Sequence, residues 1–61
     1  MQKQQTQILS AMQKVRILTG RYNEWAGRVI EYKPDSNTYL IEIENGKFEF
    51  YRPSDIAPVS E

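Results

Sequence analysis

Apolar and polar residues alternate along most of the chain from Gln13 onward, and this spacing predicts short β-strands. Val15 and Ile17 alternate with basic residues in the first strand, which ends at the Thr19-Gly20 break. Further strands are predicted at 27–32, 38–43, 48–51 and 56–59. A turn is predicted at 33–37, where Pro34 stands beside residues that favour turns. The pattern therefore indicates an all-β chain of five strands.

The clearest local signal is Asn45-Gly46 between two alternating runs. Asn-Gly is typical of a two-residue type I′ hairpin turn, in which both turn residues have positive φ. That turn sets a register in which Ile43 faces Phe48 and Ile41 faces Phe50. The phenylalanines are then predicted to point into the core with the isoleucines.

Two prolines shape the end of the chain. Pro53 suits the first position of a single-turn helix, and Pro58 confines the last strand to an edge or to a barrel closure. Closing the five strands into a barrel would remove both exposed edges of the sheet. The predicted core consists of Val15, Ile17, Val29, Tyr39, Ile41, Ile43, Phe48, Phe50, Ile56 and Val59.

The N-terminal segment, residues 1–12, is rich in glutamine and has only weak helical spacing. A segment this short does not hold as an isolated helix in water. It is predicted to be either a frayed tail or a helix that docks on the barrel of residues 13–61. If the helix docks, Ile8 and Leu9 are the expected anchors. If the segment is a frayed tail, it is dispensable for folding.

Composition argues against catalysis and metal binding. The chain has no cysteine and no histidine, which removes the commonest nucleophiles, general bases and metal ligands. Glu42, Glu44 and Glu49 are predicted on the polar side of the hairpin, where nothing raises a carboxyl pKa for acid–base chemistry. We therefore expect a non-catalytic, cytoplasmic protein with no cofactor, no small-molecule substrate and no membrane association.

Charge is distributed unevenly along a chain of zero net charge. Residues 1–33 carry a net charge of +4 and residues 34–61 a net charge of −4. Such asymmetry marks a basic binding face when it persists in space. The alternative is that the two halves interleave in the folded barrel and leave an ordinary mixed surface.

The segment 15–30 resembles a KOW motif, the β–loop–β unit of ribosomal proteins and NusG-type transcription factors. The matching positions, in order, are Gly20, Tyr22, Gly27 and Val29. Glu24 departs from the family, which usually has a small or basic residue there. The resemblance implies an SH3-like barrel and association with RNA, the ribosome or RNA polymerase.

Residues 13–61 are also similar, more loosely, to other small SH3-like barrels. These include ferredoxin-docking subunits of photosynthetic electron-transfer complexes, in which an ending like Tyr51 to Val59 recurs. The two resemblances together imply a five-stranded SH3-like barrel with a single-turn helix before the last strand.

The candidate binding residues cluster in the segment 21–28. Arginine and aromatic side chains together anchor protein partners or stack on bases, and four such residues are found here. They are Arg21, Tyr22, Trp25 and Arg28. A buried position in the core is the alternative for Tyr22 and for Trp25, since large aromatic residues in small domains are mostly buried.

Three functions follow from these patterns. The first is a module that docks a protein partner through the segment 21–28. The second is an RNA-associated KOW module, although zero net charge predicts weak RNA binding by the chain alone, because affinity for nucleic acid depends on several basic contacts. The third is a structural subunit of a larger complex, with the basic half of the chain facing an acidic electron carrier.

Overall fold

The computed structural model describes residues 9–59, which form one antiparallel sheet of five strands. The strands are β1 Lys14–Ile17, β2 Ala26–Lys33, β3 Thr38–Ile43, β4 Phe48–Tyr51 and β5 Ile56–Pro58. Two 3-10 turns, Gly20–Tyr22 and Pro53–Asp55, join β1 to β2 and β4 to β5. The predicted all-β class, the five strands and the helical turn before the last strand are confirmed.

The strands are arranged in the order β4-β3-β2-β1-β5, and every neighbouring pair is antiparallel. Within residues 9–59, β4 and β5 are not paired with each other, so the sheet has two edges and the predicted barrel is not closed. Pro58 has no N–H to donate on the free edge of β5, which weakens closure by strand pairing. Pro58 lies in an edge strand, one of the two positions that the sequence predicted for it, and its register partner is Val15.

One face of the sheet is buried and is called the inner face. Alternate residues of β1, β2 and β3 point into it, which matches the period of two in the sequence. The core consists of Val15, Ile17, Tyr22, Val29, Tyr39, Ile41, Ile43 and Ile56. Seven of these eight residues were predicted; Tyr22 is the addition, and Val59 is only half-buried.

The predicted hairpin register is wrong by one residue. Ile41 pairs with Glu49 and Leu40 with Phe50, so Phe48 and Phe50 point away from the core. The turn is a three-residue loop, closed by Ile43 N–H donating to the Lys47 carbonyl at 2.7 Å. Only its last residue, Gly46, has positive φ, whereas a type I′ turn requires positive φ at Asn45 as well.

Close packing between β2 and β3 explains Gly27. A Cβ at this position would lie 2.6 Å from Ile41 Cγ2 and 3.0 Å from the Glu42 carbonyl oxygen. Glycine at this position therefore lets the β3 backbone pass close to β2. Farther along β2, the register shifts at a bulge between Val29 and Glu31, which leaves Ile30 exposed.

The chain approaches β1 across one end of the core. Leu9 packs against the core, and its N–H donates to the Tyr39 hydroxyl at 3.0 Å. The Gln13 side chain donates to the Val59 carbonyl at 3.3 Å, which ties this segment to the end of β5. Leu9 therefore anchors the segment 9–13, whereas residues 1–8 of the predicted tail, including Ile8, lie outside the described residues.

Candidate binding surface

Backbone hydrogen bonds hold the loop between β1 and β2 in one conformation. Glu24 N–H donates to the Ile17 carbonyl at 2.7 Å, and Trp25 N–H donates to the Tyr22 carbonyl at 2.9 Å. Gly20 and Glu24 have φ values of 79° and 81°. Glycine adopts this region at little cost, whereas Glu24 is held there by its hydrogen bonds. The loop is therefore a preorganised platform for the side chains that it carries.

Tyr22 and Trp25 have different environments in this loop. Tyr22 is only 8% exposed and belongs to the core. Trp25 is 38% exposed and packs edge-on against Tyr22, with ring centroids 5.4 Å apart. Tyr22 thus anchors the loop, while part of Trp25 is accessible to a partner. Arg21, which directly precedes Tyr22 in the loop, is exposed.

Arg28, the fourth predicted site residue, lies apart from these three on the outer face of the sheet. The outer face is the side of the sheet opposite the core. On this face, side chains that are register partners on neighbouring strands form rows across the sheet. Arg28 pairs with Lys14 of β1 on one side and with Glu42 of β3 on the other. Its Nη1 donates to the Met12 carbonyl at 3.3 Å, which directs the guanidinium along the surface.

The β1–β2 part of the outer face is basic. It carries Lys14, Arg16 and Arg28, of which both arginines are exposed. Arg16 Nη1 donates to the Glu24 carbonyl at 3.2 Å. None of the three joins an ion pair within residues 9–59. We call these three residues the basic half of the outer face.

The β3–β4 part of the outer face carries exposed aromatic side chains. Phe48 and Phe50 are 54% and 57% exposed, and Phe50 lies opposite the half-buried Leu40. Ile30, in the β2 bulge, is exposed beside Glu31, the register partner of Leu40. We call Ile30, Leu40, Phe48 and Phe50 the aromatic half of the outer face. Such exposure of several large apolar side chains on one sheet face is uncommon in a monomer.

A groove of about 380 Å³ lies beside the basic half. Lys14 and Arg28 line it from β1 and β2, and Glu42 and Glu44 line it from the strand β3 and the turn that follows. Arg28 and Glu42 are cross-strand neighbours, yet they do not form an ion pair. Both charges therefore remain available to a bound molecule.

The inner side of β4 carries the phenol of Tyr51. Burial raises the pKa of the Tyr51 phenol above its ordinary value, and nearby Glu49, Tyr22 and Asp55 raise it further. Glu49 is exposed, whereas Tyr51 packs against the core. The edge at β4 is thus aromatic on the outer face and acidic on the inner one.

Arg28, a candidate from the sequence, lies on the outer face, whereas the sequence pattern does not indicate the aromatic half. Phe48 and Phe50 are predicted in the core because both the alternation and the Asn45-Gly46 signal agree on that register. The available signal was that Glu44-Asn45-Gly46 also fits a three-residue loop with glycine last, which exposes both phenylalanines.

Within residues 9–59, no helix is long and apolar enough to cross a membrane, and no cluster of three or more side chains is suited to holding a metal ion. Comparisons of the chain with protein-family models, with curated proteins and with solved structures give no match.

Proposed function

We propose that this chain is a non-catalytic module that binds a protein partner through the outer face of its sheet. The observation that carries the proposal is the exposure of Phe48 and Phe50 on neighbouring rows of one face. Exposed apolar clusters rimmed by polar residues mark protein interaction sites. Burying two phenylalanines and their apolar neighbours on a partner provides the main driving force for association.

The charged residues around the aromatic half supply specificity. Arg28 and Glu42 lie in the same row as Phe48, so charges of both signs border the apolar surface. An apolar centre with a charged rim is the usual composition of a non-obligate protein interface. Arginine is also enriched among the residues that contribute most to binding.

The segment 21–28 extends this surface rather than forming all of it. Arg28 belongs to the outer face, and Arg21 and Trp25 offer an exposed cation and a half-exposed ring on the adjoining loop. Because Tyr22 is buried, its part in the proposal is to position Trp25.

We further propose that the architecture is SH3-like and related to the KOW type. The strand order with β5 beside β1, and the 3-10 turn Pro53–Asp55 before β5, support this assignment. On this proposal the sheet corresponds to a partly open barrel, with β4 and β5 as its two unpaired edges.

The proposal is tested by changing the aromatic half without touching the core. The double variant Phe48→Ser, Phe50→Ser and the control Leu18→Ser, which alters an exposed apolar residue elsewhere, are used as baits in the native host alongside the wild type. We expect proteins captured by the wild type and by Leu18→Ser to be lost with the double variant. Calorimetry with the purified partner then measures each affinity. Equal capture by all three baits would refute the proposal.

RNA binding is the second candidate, because Lys14, Arg16 and Arg28 are gathered in the basic half. A salt titration with a single-stranded RNA distinguishes it. Affinity that decreases steeply as salt rises supports an RNA-binding role, since binding to phosphates releases counterions. Affinity for an acidic protein without RNA binding supports the third candidate, a structural subunit of a larger complex.

A further inference from the structure

The strand β4 is an edge strand whose backbone has a defined orientation. Ile43 N–H donates to the Lys47 carbonyl, and the register continues to Ile41 with Glu49 and Tyr39 with Tyr51. In an antiparallel ladder, hydrogen-bonded pairs alternate with pairs that are not hydrogen-bonded. Glu49 and Tyr51 therefore direct their N–H and C=O groups toward β3.

The remaining residues of β4 direct theirs to the free edge. These are Phe48 and Phe50, and within residues 9–59 no strand lies beyond them. Their side chains stand on the outer face, while Glu49, between them, stands on the inner face. An added strand would thus form its backbone hydrogen bonds with the two phenylalanines, which also offer it an apolar surface.

We propose that the free edge of β4 binds an extended segment of a partner protein in which apolar and basic residues alternate, adding a sixth strand to the sheet. This inference rests on the proposed function and specifies how the partner docks. Backbone hydrogen bonds of this kind provide affinity, and alternate side chains provide specificity.

The alternation follows from the two faces of the edge. Partner residues opposite Phe48 and Phe50 lie on the outer face beside aromatic rings, where apolar side chains are favoured. The partner residue opposite Glu49 lies on the inner face beside that exposed carboxylate, where a cation is favoured.

The wider charge around β4 favours the same partner. Glu42, Glu44 and Glu49 are exposed and take part in no ion pair within the described residues, whereas Arg52 is paired with Asp55 at 3.7 Å. Lys47 is then the one unpaired cation against three carboxylates in the hairpin 42–52. Electrostatic complementarity of this kind selects a basic segment and speeds association.

A second copy of this chain fits the edge less well. Antiparallel pairing of two β4 strands that uses the Phe48 and Phe50 backbone groups on both sides places Glu49 opposite its own copy. That pair would be in the closer, non-hydrogen-bonded position, where like charges are destabilising. A basic residue of another protein removes this repulsion.

The test uses short peptides with blocked ends and amide hydrogen exchange of the full chain read by NMR. The probe alternates valine and lysine; one control replaces lysine with glutamate, and another carries N-methyl groups on the amides that would face β4. We expect the lysine peptide to slow exchange at Phe48 and Phe50 by at least about tenfold, while Glu49 and Tyr51 are protected with or without peptide. Neither control peptide should have this effect.

Two variants test the edge from the side of the protein. Phe50→Pro removes the ring and the free-edge N–H, whereas Phe50→Ala removes the ring alone. An edge strand tolerates proline where its N–H faces solvent, and circular dichroism checks that both variants fold. We expect Phe50→Pro to bind the lysine peptide at least about threefold more weakly than Phe50→Ala does, because one backbone hydrogen bond is lost.

Several results would overturn the inference. One is that the N-methylated or the glutamate peptide binds as tightly as the lysine peptide. Another is that the lysine peptide binds but leaves the Phe48 and Phe50 amides unprotected from exchange, or that no peptide binds at all. The last is that a single-stranded RNA protects these two amides. If the native partner is still lost with the variant Phe48→Ser, Phe50→Ser in any of these cases, the proposed function stands and only the docking mode is wrong. Retention of the partner by that variant refutes the proposed function itself.

Discussion

Gly46 has a backbone φ of +91° at the end of the turn between β3 and β4, and nothing lies within 4 Å of a Cβ built on it. Space is therefore not the constraint at this position; backbone conformation is. Gly46→Val is expected to lower the free energy of unfolding by about 1–3 kcal/mol, because a β-branched residue is strained at positive φ.

Chemical denaturation measures this loss, and Gly46→Asn is the matched control. Asparagine tolerates the left-handed region, so this variant should retain most of the stability. A Gly46→Val variant as stable as the wild type would contradict the observed turn geometry.

Tyr51 gives the fold a dependence on alkaline pH. Its pKa is raised above 10.0 in the folded chain, mainly by burial, so the folded state holds the phenol proton more tightly than the unfolded state. The stability that this group contributes is fully present below pH 10.0 and is lost as the pH rises through the folded-state pKa.

Unfolding experiments across this range check the effect. We expect Tyr51→Phe to reduce the loss of stability above pH 10.0 relative to the wild type, because it has no phenol to titrate. An identical alkaline profile for the two proteins would show that Tyr51 does not couple to folding.

At the level of elements, the segment 9–13 contributes to the core without belonging to a strand. Leu9 packs against the core and lines a small cavity with Tyr39, Ile56 and Pro58, and its N–H donates to the Tyr39 hydroxyl. A chain that starts at Met12 is expected to keep its β-type circular dichroism, as the sequence predicted. It should nevertheless unfold more easily, by about 1 kcal/mol, because partly buried apolar surface is lost.

The variant Leu9→Ala in the full chain removes the Leu9 contact but keeps the rest of the N-terminal segment. It should reproduce most of the loss measured for the truncated chain. If Leu9→Ala is neutral while truncation is destabilising, the stabilising contact lies elsewhere in residues 1–11.

The elements themselves were predictable because each depends on local chemistry. Alternation around Val15 and Ile41 identified the strands, and Pro53 identified the 3-10 turn. What local chemistry does not determine is which of two loops an Asn-Gly sequence forms. A one-residue difference in loop length places Phe48 and Phe50 on the opposite face, so the sequence pattern does not predict the aromatic half of the outer face.

The N-terminal anchor was foreseen only as one of two alternatives. Leu9 packs against the core and donates to the Tyr39 hydroxyl, and Tyr39 is distant in sequence, so no short-range pattern indicates the contact. Tyr22 is similar: its ring became part of the core because the 3-10 turn Gly20–Tyr22 directs it inward.

At the scale of the whole molecule, β1 and β2 carry the cations Lys14, Arg16 and Arg28, and β3 and β4 carry Glu42 and Glu49. The double variant Arg21→Ala, Arg28→Ala removes two cations from the β1–β2 side. We expect it to weaken binding of the native partner by at least about 1 kcal/mol. Stability should change by no more than about 0.5 kcal/mol, since both side chains are exposed.

Calorimetry at several salt concentrations measures this effect, and Lys33→Ala is the control because Lys33 is already paired with Glu31 at 3.4 Å. The salt dependence of binding should be shallower for the arginine variant than for the control. If the two variants bind the partner equally well, the assignment of the segment 21–28 to the binding surface is wrong. Tyr22→Ala is not a useful substitute, because loss of a core ring is expected to unfold the chain.

The two edges of the sheet are unequal. On β5, Ala57 pairs with Arg16, and the neighbouring bonds Leu18 N–H to Asp55 C=O and Val59 N–H to Lys14 C=O direct the odd-numbered residues toward β1. The outward groups belong to Ile56 and Pro58, and Pro58 has no N–H to donate. The free edge of β5 therefore offers one N–H donor, that of Ile56, whereas the free edge of β4 offers the two of Phe48 and Phe50. An added strand finds fewer donors at β5, so end-to-end growth of chains into a polymer is disfavoured when β4 has no partner.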